Sequence, residues 1–171
     1  MAKKEWPKPS PKLLEKTHHL MHDGFHQRAF PDTPYELPEA LGDGLDTEIT
    51  ETIQKVTEAM MGYKVHEALG TSMDLARVGN SYVDDRQPWF QAKNPEASAD
   101  LDQTLATLTR TLTVLCALFE PVAPAKMAEM ALNLGLDGVP TLAAARSLEL
   151  AGRRVSKGKP LFPRIEPSWT G

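Results

Sequence analysis

Cysteine is almost absent. Cys116 stands alone among 171 residues, so no disulfide can form within the chain and a reducing compartment, the cytoplasm, is the simplest expectation. Long apolar runs are missing too. Nowhere do eighteen apolar residues follow one another, and the lysines of the opening MAKKEWPKPSP have no apolar stretch behind them, so neither a membrane span nor a secretion signal is expected. Nor is there an excess of positive charge. With a formal net charge of −4 and an isoelectric point near 5.7, the chain does not read as a general polyanion binder, because sequence-independent nucleic-acid affinity comes from neutralised phosphates. Any nucleic-acid contact has to be local.

Catalytic chemistry is lacking as well. No nucleophile–His–Asp spacing and no glycine-rich phosphate loop occurs, and Asp84 and Asp85 are helix neighbours that point different ways, unsuited to shared acid–base work. His18, His22 and His26 fall four apart on one helical face, the spacing by which a helix offers imidazoles to a metal. Without cysteines or paired carboxylates beside them they read as solvated or partly buried histidines. No catalytic residue, metal or cofactor is expected.

What is present is helical periodicity. The size suits one domain with one core, and a hydrophobic content of 41% agrees. Residues 1–9 are lysine- and proline-rich and read as a flexible tail. A first helix opens at Ser10, with Pro11 in its first position, and runs to about Gln27; Lys12 and Lys16 share one face of it. The stretch from Pro31 to Leu45 is turn chemistry and acidic. Asp46 or Thr47 caps a second helix with Ile49, Ile53, Val56 and Met60 inward, ended by Gly62. A third helix, from about Tyr63 to Asp85, places Val65, Leu69, Ser72 or Met73, Leu75, Ala76, Gly79, Tyr82 and Val83 on its buried side and is expected to be the bundle's centre. Gly70 and Gly79 each cost about 1 kcal/mol against alanine inside a helix. That predicts close approach by a neighbour along the small face Ala68, Ser72, Ala76 and Gly79.

After the Asn94–Ser98 loop, Leu101, Leu105, Leu108, Leu112, Leu115 and Phe119 form the most regular apolar stripe, with the threonines elsewhere on the helix. Pro121 and Pro124 stop it and admit a fifth helix from Ala125 to about Leu134. Thr141–Ala151 reads as a weak helical turn or loop. Gly158 and Pro160 predict a turn between extended pieces at 154–156 and 161–162, within the most basic run of the chain. The expectation is an all-α bundle of about five helices over residues 10–166, closed by a short extended C-terminal tail, with 167–171 trailing.

The third helix ends at the run GNSYVDDRQPWFQAK. Pro88 biases the residue before it away from the α region, so the helix should stop near Arg86 or Gln87 and leave Trp89 at the break, as core plug or stacking platform. Arg86 beside it could fork to phosphate or pair with Asp84 or Asp85.

This run resembles the helix-to-Pro-Trp signature of the anticodon-binding domain of methionyl-tRNA synthetases, and GRRVSKGKPLFPRIE, from Gly152 to Glu166, resembles the short basic hairpin that closes it. The resemblance covers Pro9 to Glu166 and no catalytic nucleotide-binding half. It implies a tRNA-binding module in which Trp89, behind Pro88, stacks on an anticodon base, with Lys12, Lys16 and Arg86 supplying charge. It also implies that Asn80 braces the helix junction. Lys12 and Lys16 stand where the family usually has an asparagine and an arginine, so the anticodon-reading set is altered. The partners implied are tRNA, of the tRNA-Met kind, and a separate catalytic chain, and no membrane. The alternatives are a repurposed bundle acting as a protein-interaction or assembly subunit, and the tRNA-binding part of a split ligase.

Overall fold

A computed structural model of the chain describes residues 35–36 and 44–163. The expected tail, the first helix with Lys12, Lys16 and the histidine face, and the C-terminal end lie outside them. The regular elements of the described part are helices except for one two-residue strand pairing: β1 (Tyr35–Glu36), α1 (Asp46–Met61), α2 (Val65–Arg86), α3 (Pro88–Gln91), a single 3-10 turn (Pro95–Ala97), α4 (Ser98–Phe119), α5 (Pro124–Asn133), α6 (Leu142–Ser147) and β2 (Arg154–Val155). The all-α bundle expected from periodicity is the observed fold.

α1 carries Asp46 and Glu48 at its positive end, where the helix dipole favours them, but the N-cap is Leu45 and no side chain caps it. Its buried residues are Ile49, Thr52, Val56 and Ala59. The stripe is therefore turned slightly from the predicted one: Ile53 is half-buried and Met60 is 48% exposed, because Ala59 is the residue facing inward. Gly62 ends α1 as expected, and Tyr63 follows in the left-handed region at φ 58, where the Lys64 amide closes the turn on the Ala59 carbonyl at 2.8 Å. α2 consequently starts two residues later than expected, at Val65.

Ala68, Ser72, Leu75 and Gly79 form the buried edge of α2. A β-carbon on Gly79 would stand 3.5 Å from Thr111 Cγ2 of α4, the close approach predicted from the small face. Gly70 has nothing within 4 Å of the same construction, and nothing in the structure explains it. Val65, expected inward, is 53% exposed, and of the alternatives Ser72 and Met73 it is Ser72 that is buried, with Met73 46% exposed.

The bundle's centre is α4, not α2. It packs against α2, α3, α5 and α6, so it has almost no solvent side, and Thr104, Thr107, Thr109, Thr111 and Thr113 are all buried. Four of these hydroxyls donate one turn back within the helix: Thr104 to Asp100 O, Thr109 to Leu105 O and Thr113 to Thr109 O at 2.8 Å, and Thr111 to Thr107 O at 2.9 Å. A hydroxyl satisfied in this way can be buried without an orphaned donor, and threonine then serves as a small spacer where helices meet. Leu112, by contrast, is 38% exposed although it belongs to the leucine stripe.

Cys116 is fully enclosed where α4 meets α5, its Sγ 3.8 Å from the Met127 carbonyl, and burial pushes the thiol pKa up to about 11. At pH 8 only about one molecule in a thousand would carry the thiolate, the form that reacts. Iodoacetamide should therefore leave the native protein unlabelled and label it once unfolded in urea. Rapid native labelling, read by mass spectrometry, would contradict the enclosed position.

The C-terminal segment is arranged differently from the hairpin expected. Arg154–Val155 pairs antiparallel with Tyr35–Glu36, in the register Tyr35 to Val155 and Glu36 to Arg154, while 161–162 joins no strand. The segment is pinned to the end of α5 instead: the Ser156 amide donates to Asn133 O at 2.8 Å, and Gly158 lies against the Asn133 side chain with no room for a β-carbon. Thr141–Ala151 resolves into α6, capped by Thr141 Oγ1 accepting from the Ala144 amide at 3.2 Å, and a following loop.

Candidate nucleic-acid interface

α2 stops where the proline said it would. Gln87 caps it in the left-handed region at φ 47, its amide still bonded to Val83 O at 2.9 Å, and the chain re-enters a helix at once with Pro88 in the first position. Proline is suited to that position because the first helical amide has no partner to lose. The single turn of α3 is two-sided. Pro88 is fully buried and Ala92, one turn on, is 2% exposed and packs with Leu101 and Leu105 of α4. These two residues fix the turn on the bundle.

Its other side is aromatic and open. Trp89 is half-buried and Phe90 is 59% exposed; their ring centroids lie 6.3 Å apart with planes tilted by 53°. Lys93 Nζ stands 5.8 Å from the Phe90 centroid, within cation–π range. Trp89 is thus neither an enclosed plug nor a freely projecting ring. It has one part against the bundle and another at the surface, beside a second ring and a cation. Gln91 adds a side-chain carbonyl oxygen that is buried with no partner among the described residues. Gln91 and Lys93 were not singled out from the sequence, although the spacing of three between Phe90 and Lys93 was a usable signal.

Arg86 is committed. Its Nε donates to Thr104 Oγ1 at 3.2 Å and its Nη2 lies 3.4 Å from Asp100 Oδ1, so it ties the end of α2 to the start of α4. Its ionic partner comes from across the bundle, and is neither Asp84 nor Asp85. Asn80 is exposed, and its side chain makes no hydrogen bond among the described residues, so it does not brace the junction as expected. It lies six residues before Arg86, roughly 9 Å of helical rise, and the structure does not bring it to the break. Pro88, Trp89 and Arg86 are brought together; Lys12 and Lys16 lie outside the described residues. No group of three or more metal-ligating side chains occurs among the described residues, and none of their helices is long and apolar enough to cross a membrane.

A family model described as the anticodon-binding domain of tRNA ligase matches residues 45–148. The methionine–tRNA ligase of Methanococcoides burtonii is 35% identical over 141 residues, which are 79% of this chain and 20% of that ligase. That of Deinococcus radiodurans is 40% identical over 106 residues, 61% of this chain and 15% of the ligase. Among solved structures, the free methionyl-tRNA synthetase of Mycobacterium tuberculosis superposes with a TM-score of 0.64 over 91% of this chain and 32% of that one, at 20% identity, a likeness of fold. The chain spans about a fifth of the length of the M. burtonii relative.

Proposed function

Because the chain belongs to the family of anticodon-binding domains of tRNA ligases, we propose that it binds tRNA and receives an anticodon base on Trp89. The observation that carries this reading is the two-sided turn of α3: Pro88 and Ala92 are sunk into the bundle while Trp89, Phe90 and Lys93 form an aromatic and cationic rim. Single-stranded loops are read in this manner, by splaying a base onto a ring held at a fixed angle. The turn that carries the indole is anchored by the buried Pro88. Arg86 contributes indirectly, holding the end of α2 on α4, and reaches phosphate itself only by releasing Asp100. Gln91 Oε1 is an acceptor left without a partner, and such a group favours a ligand that brings a donor. Lys12, Lys16 and Asn80 remain in the proposed set as further contacts.

The tRNA is proposed to be of the tRNA-Met kind, since the relatives quoted are methionine–tRNA ligases. Methionine transfer would then be the work of a catalytic unit to which this bundle presents the anticodon arm. Replacing Trp89 by alanine should weaken binding of a tRNA-Met transcript by about 1–3 kcal/mol, a loss of roughly 5- to 150-fold, and Trp89→Phe should recover part of it. Helical circular dichroism should be retained, because Pro88 and Ala92 carry the packing of the turn. Equal affinity of the wild-type chain for transcripts with and without the methionine anticodon would refute base reading. Absence of any tRNA affinity would leave the bundle as a protein-interaction or assembly subunit.

A further inference from the structure

The cations of the bundle are sorted by whether they have an anionic partner. Lys55 pairs with Glu51, Lys64 with Glu67, Arg77 with Asp74, Arg86 with Asp100 and Lys126 with Glu129. Lys93 stands over Phe90 at the aromatic break. Arg110, Arg146, Arg153, Arg154 and Lys159 have no ion pair within 4 Å among the described residues and belong to one corner, where α6, β2 and the end of α5 meet the middle of α4; Lys157 sits on the same segment.

The corner is held together through its own arginines. Arg110 Nη1 donates to Leu148 O at 2.7 Å and to Arg146 O at 3.4 Å, closing the end of α6 onto α4. Arg153 donates to Glu149 O from Nε and to Gly135 O from Nη1, both at 3.0 Å. Carbonyl acceptors satisfy a guanidinium's N–H groups without cancelling its charge. The side chains of Arg146, Arg154 and Lys159 are exposed and bond nothing among the described residues. Asp137 and Glu149 are the carboxylates on the same segments, with Glu36 across from Arg154 in register. Glu149 accepts from the Leu150 and Ala151 amides at 3.0 Å and interacts electrostatically with Arg110, so it offsets one of these charges. Cations therefore remain in excess here, in a chain whose net charge is −4.

We propose that this corner docks the sugar–phosphate backbone of the tRNA outside the anticodon, gripping it whatever its sequence. The proposal rests on the tRNA reading above and adds to it a second surface with a different task. Among the described residues, Lys93 at the aromatic break and Arg146, Arg154 and Lys159 at this corner have side chains in no ion pair. Arg110 lies six residues beyond Thr104, against which Arg86 braces the break, a rise of roughly 9 Å along α4. Six residues also turn the helix by about 240° net, so a strand seated on Trp89 reaches the corner by passing around α4. Phosphate contacts position a nucleic acid without reading it, whereas base contacts specify it, so the two surfaces predict separable effects.

The test measures affinity of the full chain for a tRNA-Met transcript and an anticodon-swapped one across a series of salt concentrations. Wild type, Trp89→Ala and the triple variant R146Q/R154Q/K159Q are compared. The triple variant should weaken both transcripts by the same factor and flatten the slope of log affinity against log salt by about 2–3, since each lost phosphate contact contributes about 0.7–0.9. Trp89→Ala should keep the wild-type slope and lose the preference for the methionine anticodon. Should the triple variant melt early, single substitutions at the same three positions take its place, each expected to flatten the slope by about one. An unaltered slope on both transcripts overturns the proposal, as does a wild-type chain that binds neither. If the wild type ignores the anticodon while the triple variant still flattens the slope, anticodon reading fails and the backbone-docking corner stands.

Discussion

Replacing Gly135 by alanine should detach the C-terminal strand and lower stability by about 2–4 kcal/mol. Gly135 ends α5 at φ 72, a left-handed conformation that costs an L-residue roughly 1–2 kcal/mol. Space adds to that cost. A β-carbon there would lie 2.5 Å from the Arg154 carbonyl oxygen, and the obstructing atom belongs to backbone that cannot swing aside as a flexible side chain could. β2 has to move, and with it go the Ser156 amide bond to Asn133 O and the Arg153 bond to Gly135 O. Gly138, three residues on, has open space around it, so Gly138→Ala should stay within about 0.5 kcal/mol of wild type. Urea midpoints of the two variants, with hydrogen exchange at the Val155 and Ser156 amides, make the comparison. A loss under about 1 kcal/mol for Gly135→Ala, with both amides still protected, would show that β2 does not need this close approach. Arg153 and Arg154 ride on the same strand, so the variant should also disturb the cationic corner while leaving Trp89 in place.

Which features could be read in advance follows from the range of the interactions that produce them. The end of α2 was legible because it is a local matter: Pro88 excludes the helical conformation from its predecessor whatever surrounds it. The approach of another helix at Gly79 was legible because a glycine in a helix interior is costly without such a reason. Gly70 carries the same cost and has no such neighbour, so the argument proves only suggestive. The buried threonines were not legible. Their hydroxyls read as polar in any pattern count, and only a helix enclosed on nearly all sides, with each hydroxyl turned back on its own backbone, makes them core residues. For the same reason α2 looked like the centre and α4 is.

At the candidate site the failures were non-local. Arg86 seemed to belong with Asp84 or Asp85 because they are adjacent, yet residues one and two apart on a helix do not face each other, and the partner comes from the next long helix. The strand partner of Arg154–Val155 lies more than a hundred residues upstream rather than across the Gly158–Pro160 turn. Likewise, the basic run near the C-terminus was visible as composition, but not that Arg110, far back in the chain, closes beneath it. The aromatic break itself was the most readable element. Its sequence signature is contiguous, and what the fold adds is the division of one turn into an anchoring side and an open one.

Truncating Leu75 to alanine should be the most damaging change to the core, at about 2–5 kcal/mol. Leu75 is 1% exposed on α2 and belongs to the cluster that includes Ile49 and Val56 of α1, Val114, Leu115 and Leu118 of α4, and Ala145 of α6. It is the one large side chain on the narrow buried edge of α2, whose other members are Ala68, Ser72 and Gly79, so no neighbour on that edge is big enough to lean into the void. One feature moderates the loss. Leu75 also lines a cleft of about 220 Å³ between α1 and α2, walled by Glu48, Glu51, Lys55 and Asp74, and water entering from there can occupy part of the vacated space. Solvated walls favour the middle of the range over its upper end. Because α3 is fixed through Pro88 and Ala92 onto the first turns of α4, well away from Leu75, molecules that remain folded should present Trp89 unchanged. Leu75→Ala should therefore lower the urea midpoint sharply, yet bind tRNA with wild-type affinity once corrected for the folded fraction. Trp89→Ala should do the reverse. A Leu75 variant that keeps its stability would mean that the core is not organised about this edge of α2. One that keeps its fold but loses tRNA would mean that the aromatic rim depends on the whole length of α2 and not on the turn that carries it.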